Sequence, residues 1–502
     1  MRLVILLLVL TAAYAPARTR SHGRRTTDPS GPVQARLSSP LSCPVLSANP
    51  PSDPNQLTAG EVSNLVNSAV AVAANPAIAV AVVDRAGNRL AIFRGTQATD
   101  AIVESALALA RGGAFFSSTG TPLSSRTVGY ISAPNFPPGI PNQPSGALFG
   151  IQNTNRGCYL SASYLPGQAV SRSLNSTCTG YSDGIGTDPG GVPIFRNGEE
   201  VIGGIGVAGF ADNDVNEYAA VAATQQNGFF VHLPLPTPGG VYLNGFLLPF
   251  VSPQPPTGFS PGPSPGTFQV GPFSGMPEPE GWLVGPNAGS MLSASEVQNI
   301  ISNAIATANV TRAQIRLPIQ TTHMVISVAD LGGTILGLYR MTDSAIFSVD
   351  VAASKARNVV YFSGPNLDPN DLPGVPVGTA VTNRTVGFGS QPYFPSGING
   401  TPPGPFRDLF NFDTANPCTQ GRQPANANQS GVVFFPGSAP LYLNGVMVGG
   451  LGVSGDGVDQ DDFVTSGGAQ GYDAPTNIRA DQITIDGVRL PYWNFPRNPE
   501  MQ

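Results

Sequence analysis

Few residues in this sequence are equipped for chemistry. It has three histidines, His22, His232 and His323, a single lysine, Lys355, and four cysteines, Cys43, Cys158, Cys178 and Cys418. Three histidines leave little for a nucleophile–histidine–acid relay, and no H-E-x-x-H zinc motif is present. Ser260 in "GFSPG" (258–262) satisfies G-x-S-x-G, but it stands in a proline-rich run and not at a strand-to-helix elbow. The acidic run "DGVDQDD" (456–462) lacks the glycine and the closing glutamate of a calcium loop, which leaves a weak cation site at best. The cysteines have no zinc spacing; four allow three pairings, and Cys158 with Cys178, flanking one polar loop, is the pair expected.

One further pattern could cradle a phosphate. "VIGGIGVAG" (201–209) holds Gly204, Gly206 and Gly209 in the G-x-G-x-x-G spacing, and "MVGGLGVSG" (447–455) repeats it with Gly450, Gly452 and Gly455. A dinucleotide site requires a parallel βαβ unit and an acidic residue about twenty positions on. Here Asp212 and Asp214, or Asp459, Asp461 and Asp462, fall where the next helix begins. Carboxylates there suit the helix dipole but repel a phosphate. The glycines therefore read as a strand packed closely on another backbone, or as a bulge.

The elements around these residues occur twice. "AVVDRAGNRLAIFR" (81–94) aligns with "SVADLGGTILGLYR" (327–340), placing Asp84 on Asp330, Gly87 on Gly333 and Arg94 on Arg340, and the glycine stretches keep the same offset. "SSRTVGYIS" (124–132) matches "TNRTVGFGS" (382–390). Each copy opens with an amphipathic helix behind a capping box, Thr58 with Glu61 and Ser293 with Glu296. A hairpin turning at Asp84 or Asp330 follows, then a second helix over 100–116 or 344–362, a long loop, and two strands around Asn197-Gly198 or Asn444-Gly445. Each copy closes on a hairpin at Asn244-Gly245 or Asp486-Gly487. Hairpin-linked strands with helices predict an α+β fold of two tandem domains, over 55–252 and 291–496, joined by a Pro/Gly-rich linker of polyproline character (253–290) and followed by a tail, 497–502.

Composition narrows the setting. Charged residues are 11% of the 502, Gly (60) and Pro (50) are abundant, and the net charge is −6, so nothing argues for nucleic acid. The start, with Arg2 before an apolar run from Leu3 to about Ala13, reads as a signal peptide over 1–17, or as an uncleaved anchor, followed by a low-complexity segment over 18–54. No later run is long enough to span a bilayer. These features predict an exported protein, periplasmic, extracellular or at the cell surface.

Taken together, "LTAGEV", "VVDRAGNRL" and "GGVPIFRNGEEVIGGIGVAG" in the first copy, and "LSASEV", "VADLGGTILGLYRM", "ASKARNVV" and "VMVGGLGVSG" in the second, resemble the GlcG/HbpS family of haem-binding proteins, some labelled haem-degrading. The resemblance covers most of 57–228 and 292–470. It implies profilin-like domains that assemble into dimers and larger rings and that bind haem or related tetrapyrroles in some members. A tandem chain could form a homo-oligomer or pair its own two domains. The long insertions at 131–190 and 365–438 and the terminal hairpins depart from the family pattern.

On that resemblance, His323 in "QTTHMVISVAD" is the candidate ligand of haem iron, with Met324 beside it and Ala79 or a neighbour at its place in the first copy. Arg94, Arg340 and Lys355 are candidates for the propionates, the alternative being solvated helix or strand faces. His232, in the alternating "GFFVHLPLP", reads as a strand histidine, and His22 lies beside the signal peptide. The expectation is a binding protein without catalysis, since no catalytic constellation is evident. The alternative is a secreted or cell-surface structural protein using the fold for assembly.

Overall fold

In the computed structural model, the described residues are 55–156, 184–235, 239–252, 254–278, 280–317, 319–416, 419–426 and 428–499. The expected signal peptide, the low-complexity segment, His22 and all four cysteines, Cys158 and Cys178 included, lie outside them.

The first copy begins with α1 (Ala59–Val72), whose capping box forms as expected: the Glu61 carboxylate accepts from the Thr58 backbone N–H at 2.8 Å. Its apolar stripe, Val62, Leu65, Val66, Ala69 and Val70, is buried. Strands β1 (Ala79–Asp84) and β2 (Arg89–Gly95) form the first hairpin, α2 (Asp100–Phe116) follows, and α3 (Ser125–Ile131) leads into the insertion. Strands β3 (Gly191–Arg196) and β4 (Glu200–Ala208), then α4 (Asn213–Gln226), complete the domain, and β5 (Tyr242–Leu243) pairs with β6 (Phe246–Leu247). The Asn-Gly turns have both residues at positive φ, 52° and 70° at Asn197-Gly198, which is the backbone that a two-residue hairpin of matching twist demands.

The linker is not a free spacer. Within it, β7 (Gly266–Val270) pairs antiparallel with β2, and β8 (Gly281–Val284) belongs to the second domain. That domain continues through α5 (Ala294–Val310), β9 (Val325–Ala329), β10 (Ile335–Arg340), α6 (Ser348–Phe362), α7 (Asn383–Gly389), α8 (Arg407–Ala415), β11 (Ser438–Leu443), β12 (Val446–Ser454), α9 (Val458–Gly468), and the pair β13 (Thr484–Ile485) and β14 (Val488–Arg489). Helix α6 starts four residues later than its apolar pattern suggested, because residues 344–347 turn back against the first domain. The two large sheets have the same antiparallel layout, β3-β4-β1-β2-β7 and β11-β12-β9-β10-β8, the connector adding one edge strand to each, β7 and β8. The fold is thus α+β in two tandem domains.

In each copy one helix lies on one face of the sheet and two on the other. Helix α2 crosses β4 so closely that a Cβ on Gly204 would stand 2.2 Å from the Ala110 carbonyl oxygen, and one on Gly206 2.1 Å from that of Ala106. The second copy repeats this at Gly450 and Gly452, 2.3 Å from the Ala356 oxygen and 2.1 Å from the Ala352 oxygen. The recurrent glycines are therefore a backbone-to-backbone seat for a helix, as the sequence reading favoured over a phosphate cradle. The acidic residues beyond them have structural partners: the Arg126 guanidinium on α3 pairs with Asp214 and Glu217, and its counterpart Arg384 on α7 with Asp459 and Asp462.

The two domains share a core. The Phe116 and Phe347 rings stack with centroids 4.2 Å apart, and the Ile346 N–H donates to the Phe115 oxygen at 3.0 Å. Their apolar cluster joins α2 residues such as Leu109 and Ala110 to Ile315, Val351 and Phe435 of the second copy. Intramolecular pairing, one of the two arrangements expected, is present. Among the described residues no helix is long and apolar enough to cross a membrane.

Candidate functional site

His323 stands just before β9. Its backbone N–H donates to Asp456 at 2.6 Å, and its ring Nδ1 lies 2.6 Å from the Thr342 oxygen. A carbonyl can only accept, so Nδ1 carries a proton, and in the neutral ring Nε2 is the nitrogen left with a lone pair on a half-exposed side chain. Met324 is fully buried, since successive residues of an extended chain face opposite ways, and it does not join His323 in any shared site. With the repeat offset of 246 the first copy has Ala77 in the place of His323, so an imidazole at this position occurs once per chain. The exposed His232 packs on the Asn197-Gly198 turn, its backbone N–H donating to the Gly198 oxygen at 3.1 Å.

The three basic candidates lie on three different elements, and Arg340 pairs across the sheet with Val325, two residues beyond His323. Arg94, at the end of β2, keeps a side chain about one-third exposed and pairs with Asp100 at 2.6 Å. Arg340, its counterpart on β10, is fully buried, donates to the Ser344 oxygen at 2.7 Å and lies 3.8 Å from Glu278 and 3.6 Å from Glu280. Burial, with the like charge of Arg85 nearby, pulls its pKa down to about 10. Lys355, on α6, is also fully buried: Nζ donates to the Val453 oxygen at 2.7 Å and to Asp461 at 3.0 Å, and stands 5.0 Å from the centre of the Phe435 ring. Burial pushes this lysine down and the Asp461 carboxyl up to about 7, and their mutual attraction opposes both shifts. Neither Arg340 nor Lys355 is a solvated helix or strand face.

The acidic run 456–462 is neutralised from within. Asp456 pairs with Arg316 at 2.5 Å, Asp459 with Arg384 at 2.5 Å, Asp461 with Lys355, and Asp462 with Arg384. Those cations come from three separate segments, which sequence spacing could not reveal; the signal that was available was the density of aspartates itself. Among the described residues no group of three or more His, Cys, Asp or Glu could hold a metal ion.

Two spaces adjoin this region, and sequence reasoning anticipated neither. A cavity of about 20 Å³, room for one water, lies between the domains against Ile131, Leu148, Phe347, Phe435 and Asp461. An open groove of about 570 Å³ lies nearby, where the β5–β6 turn of the first copy meets 312–314, the start of α9 and 494–497 of the second.

The matching protein family, described as haem-degrading protein, HbpS-like, covers residues 57–225 and 292–470. No curated protein matches the chain. Among solved structures, Klebsiella pneumoniae protein ORFY is similar at 18% identity over 36% of this chain and 88% of its own, with a TM-score of 0.23. PduOC in complex with haem is similar at 22% identity over 37% of this chain and 97% of its own, TM-score 0.24. A double mutant of HbpS from Streptomyces reticuli is similar at 22% identity over 37% and 98%, TM-score 0.18. The repeated helix seat, the paired hairpins and the two matched regions converge: the chain belongs to the HbpS-like family and carries two tandem copies of its domain.

Proposed function

We propose that this is an exported protein that binds haem or a related tetrapyrrole without degrading it, with His323 as the axial ligand. The carrying observation is the imidazole itself: Nδ1 is held by the Thr342 oxygen at 2.6 Å, which fixes the tautomer and leaves Nε2 available on a half-exposed ring. A backbone acceptor on the distal nitrogen is the usual way a ligating histidine is oriented. Membership of a family described as haem-degrading supports the ligand class.

The residues fit this group in part. His323 supplies the donor, while Arg94, partly exposed in the first copy, is paired with Asp100 at 2.6 Å. Arg340 and Lys355 are engaged in the interior and are positioning residues for the domain interface on this reading. The cavity of about 20 Å³ cannot admit a tetrapyrrole, so the ligand belongs on the outer surface beside β9. When bound, haem would supply an iron centre and its redox couple.

The test is a titration of the purified mature chain with haemin, followed at the Soret band, and repeated with His323→Ala. Saturation near one haem per chain, lost in the variant, is expected, and the band should persist when ascorbate is added in air. A folded, monodisperse protein with no saturable band would overturn the reading and favour assembly. Loss of the band with release of bilin pigment would overturn its non-catalytic part.

A further inference from the structure

The open groove is formed by both copies. The first contributes Tyr242 and Asn244 from the closing hairpin, and the second contributes Arg312, Gln314, Gln460 and Arg497 among others. Arg312 and Arg497 are exposed, and among the described residues neither guanidinium has a hydrogen-bond or ion-pair partner. They rise from adjoining segments, because the Arg312 backbone N–H donates to the Pro499 oxygen at 2.7 Å. This sets them apart from most arginines in the structure, which are committed to carboxylates or carbonyls.

The lining chemistry around them is specific. Gln460 is 6% exposed, and its Oε1 accepts no hydrogen bond. Helix α9 starts beside it, its N-terminal end already faced by the first-turn carboxylates of Asp459 and Asp461. Among the described lining residues the one carboxylate, Asp459, is neutralised by Arg384. Two aromatic faces stand at the walls, Tyr242 and Phe495, 40% and 43% exposed, and Phe495 is braced by Phe463 and Trp493 at 5.6 and 5.9 Å. Cations call for an anion, the exposed side-chain amides of Asn244 and Asn494 suit hydroxyl groups, and flat rings suit the apolar face of a pyranose.

We propose that this groove is a binding site for a polyhydroxylated carboxylate, that is, a sugar acid or a short acidic saccharide. Its size falls within the roughly 300–1,000 Å³ of small-molecule sites. Its lining is too polar for a tetrapyrrole, so the site is separate from the haem reading and stands if that reading fails. It also exists only in a tandem chain, since the two walls come from different copies with different residues.

The test is calorimetric titration of the full chain with digalacturonate, galacturonate and the neutral disaccharide cellobiose, on the native chain and on an Arg312→Ala/Arg497→Ala variant. Both substituted positions are exposed, so the variant should fold, which circular dichroism checks; Tyr242→Ala provides an independent second variant. The expected result is saturation by digalacturonate at one per chain, weakened at least tenfold in the arginine variant and for cellobiose, and several-fold in Tyr242→Ala. Galacturonate binding as tightly as the dimer would assign the site to a free sugar acid. Absence of saturable heat with either acid, equal affinity for cellobiose, or unchanged affinity in the arginine variant would overturn the proposal.

Discussion

Gly452→Ala tests the account of the repeated glycines directly. Its Cβ would be built 2.1 Å from the Ala352 oxygen and 2.6 Å from the Ala356 nitrogen, both backbone atoms of α6. An ordinary contact begins near 3.4 Å, so helix and strand must separate by more than 1 Å. Neither can yield locally: β12 is hydrogen-bonded to β9 and β11, and every residue of α6 is buried. Overpacking typically costs about 1–3 kcal/mol, and a clash between two backbones belongs at the upper end, about 3 kcal/mol. The assay is the midpoint of urea unfolding followed by far-UV circular dichroism, with Gly60→Ala as control. Gly60 lies in the first turn of α1 with nothing within 4 Å of its Cβ, so alanine there should stabilise, by up to about 1 kcal/mol through helix propensity alone. If Gly452→Ala unfolded at the native midpoint, the seat would not exist and the ligand-loop reading of the glycines would return.

Phe116→Ala should cost about 3–5 kcal/mol, because it removes half of the stack with Phe347 from a core that both domains share; thermal unfolding checks this, and a loss below about 1 kcal/mol would mean the domains do not depend on each other. Lys355→Ala should lower stability by about 3–5 kcal/mol by leaving Asp461 buried without its cation, whereas Lys355→Met with Asp461→Leu should recover most of it, the comparison being made by denaturant titration. Asp84, fully buried, has its carboxyl raised to about 6 by burial despite bonds from Asn88. The folded state therefore holds a proton that the unfolded state releases above about pH 4. That contribution is full below the unfolded pKa and is lost as pH climbs to about 6, a fall of about 3 kcal/mol for a gap of about two pH units between the two states; Asp84→Asn should flatten the stability profile between these limits.

Much of the fold was legible because the repeat doubled each signal. The capping boxes at Thr58 and Ser293, the Asn-Gly turns and the buried stripe Val297, Ile300, Ile301 and Ala304 are local features, and local features survive in a sequence read alone. The edge strands β7 and β8 were not legible. An added edge strand is held mainly by backbone bonds on one side, so "GTFQV" and "GWLV" needed no long alternating pattern and disappeared into the surrounding Pro and Gly. The site was harder still. His323 could be picked out by scarcity, yet the destination of Arg340 and Lys355 could not, because their acceptors, Glu278 and Asp461, lie 62 and 106 positions away and are delivered by tertiary pairing. The groove is further removed, since its lining joins residues from 242 to 497.

The two copies have ceased to be equivalent, and the centre of the molecule explains why a single chain permits this. Arg85 of the first copy and Arg340 of the second, which are not counterparts in the repeat, both approach Glu278 on the connector, at 4.0 and 3.8 Å. Arg85 is further held by the Ser117 oxygen at 2.8 Å, while Leu331 takes its place in the second copy and is 40% exposed. In a symmetric pair of identical chains each of these groups would occur twice, and four arginines and two copies of this glutamate would have to be accommodated about one axis. A covalent connector places a single Glu278 between these two buried arginines, with Glu280 beside Arg340 alone. Once the interface no longer needs symmetry, Lys355 can face Asp461 where the first copy keeps Leu109 in the shared apolar cluster, and His323 can arise where the first copy has Ala77. The expected stoichiometry for any ligand of this chain is accordingly one per polypeptide, although the domain is present twice.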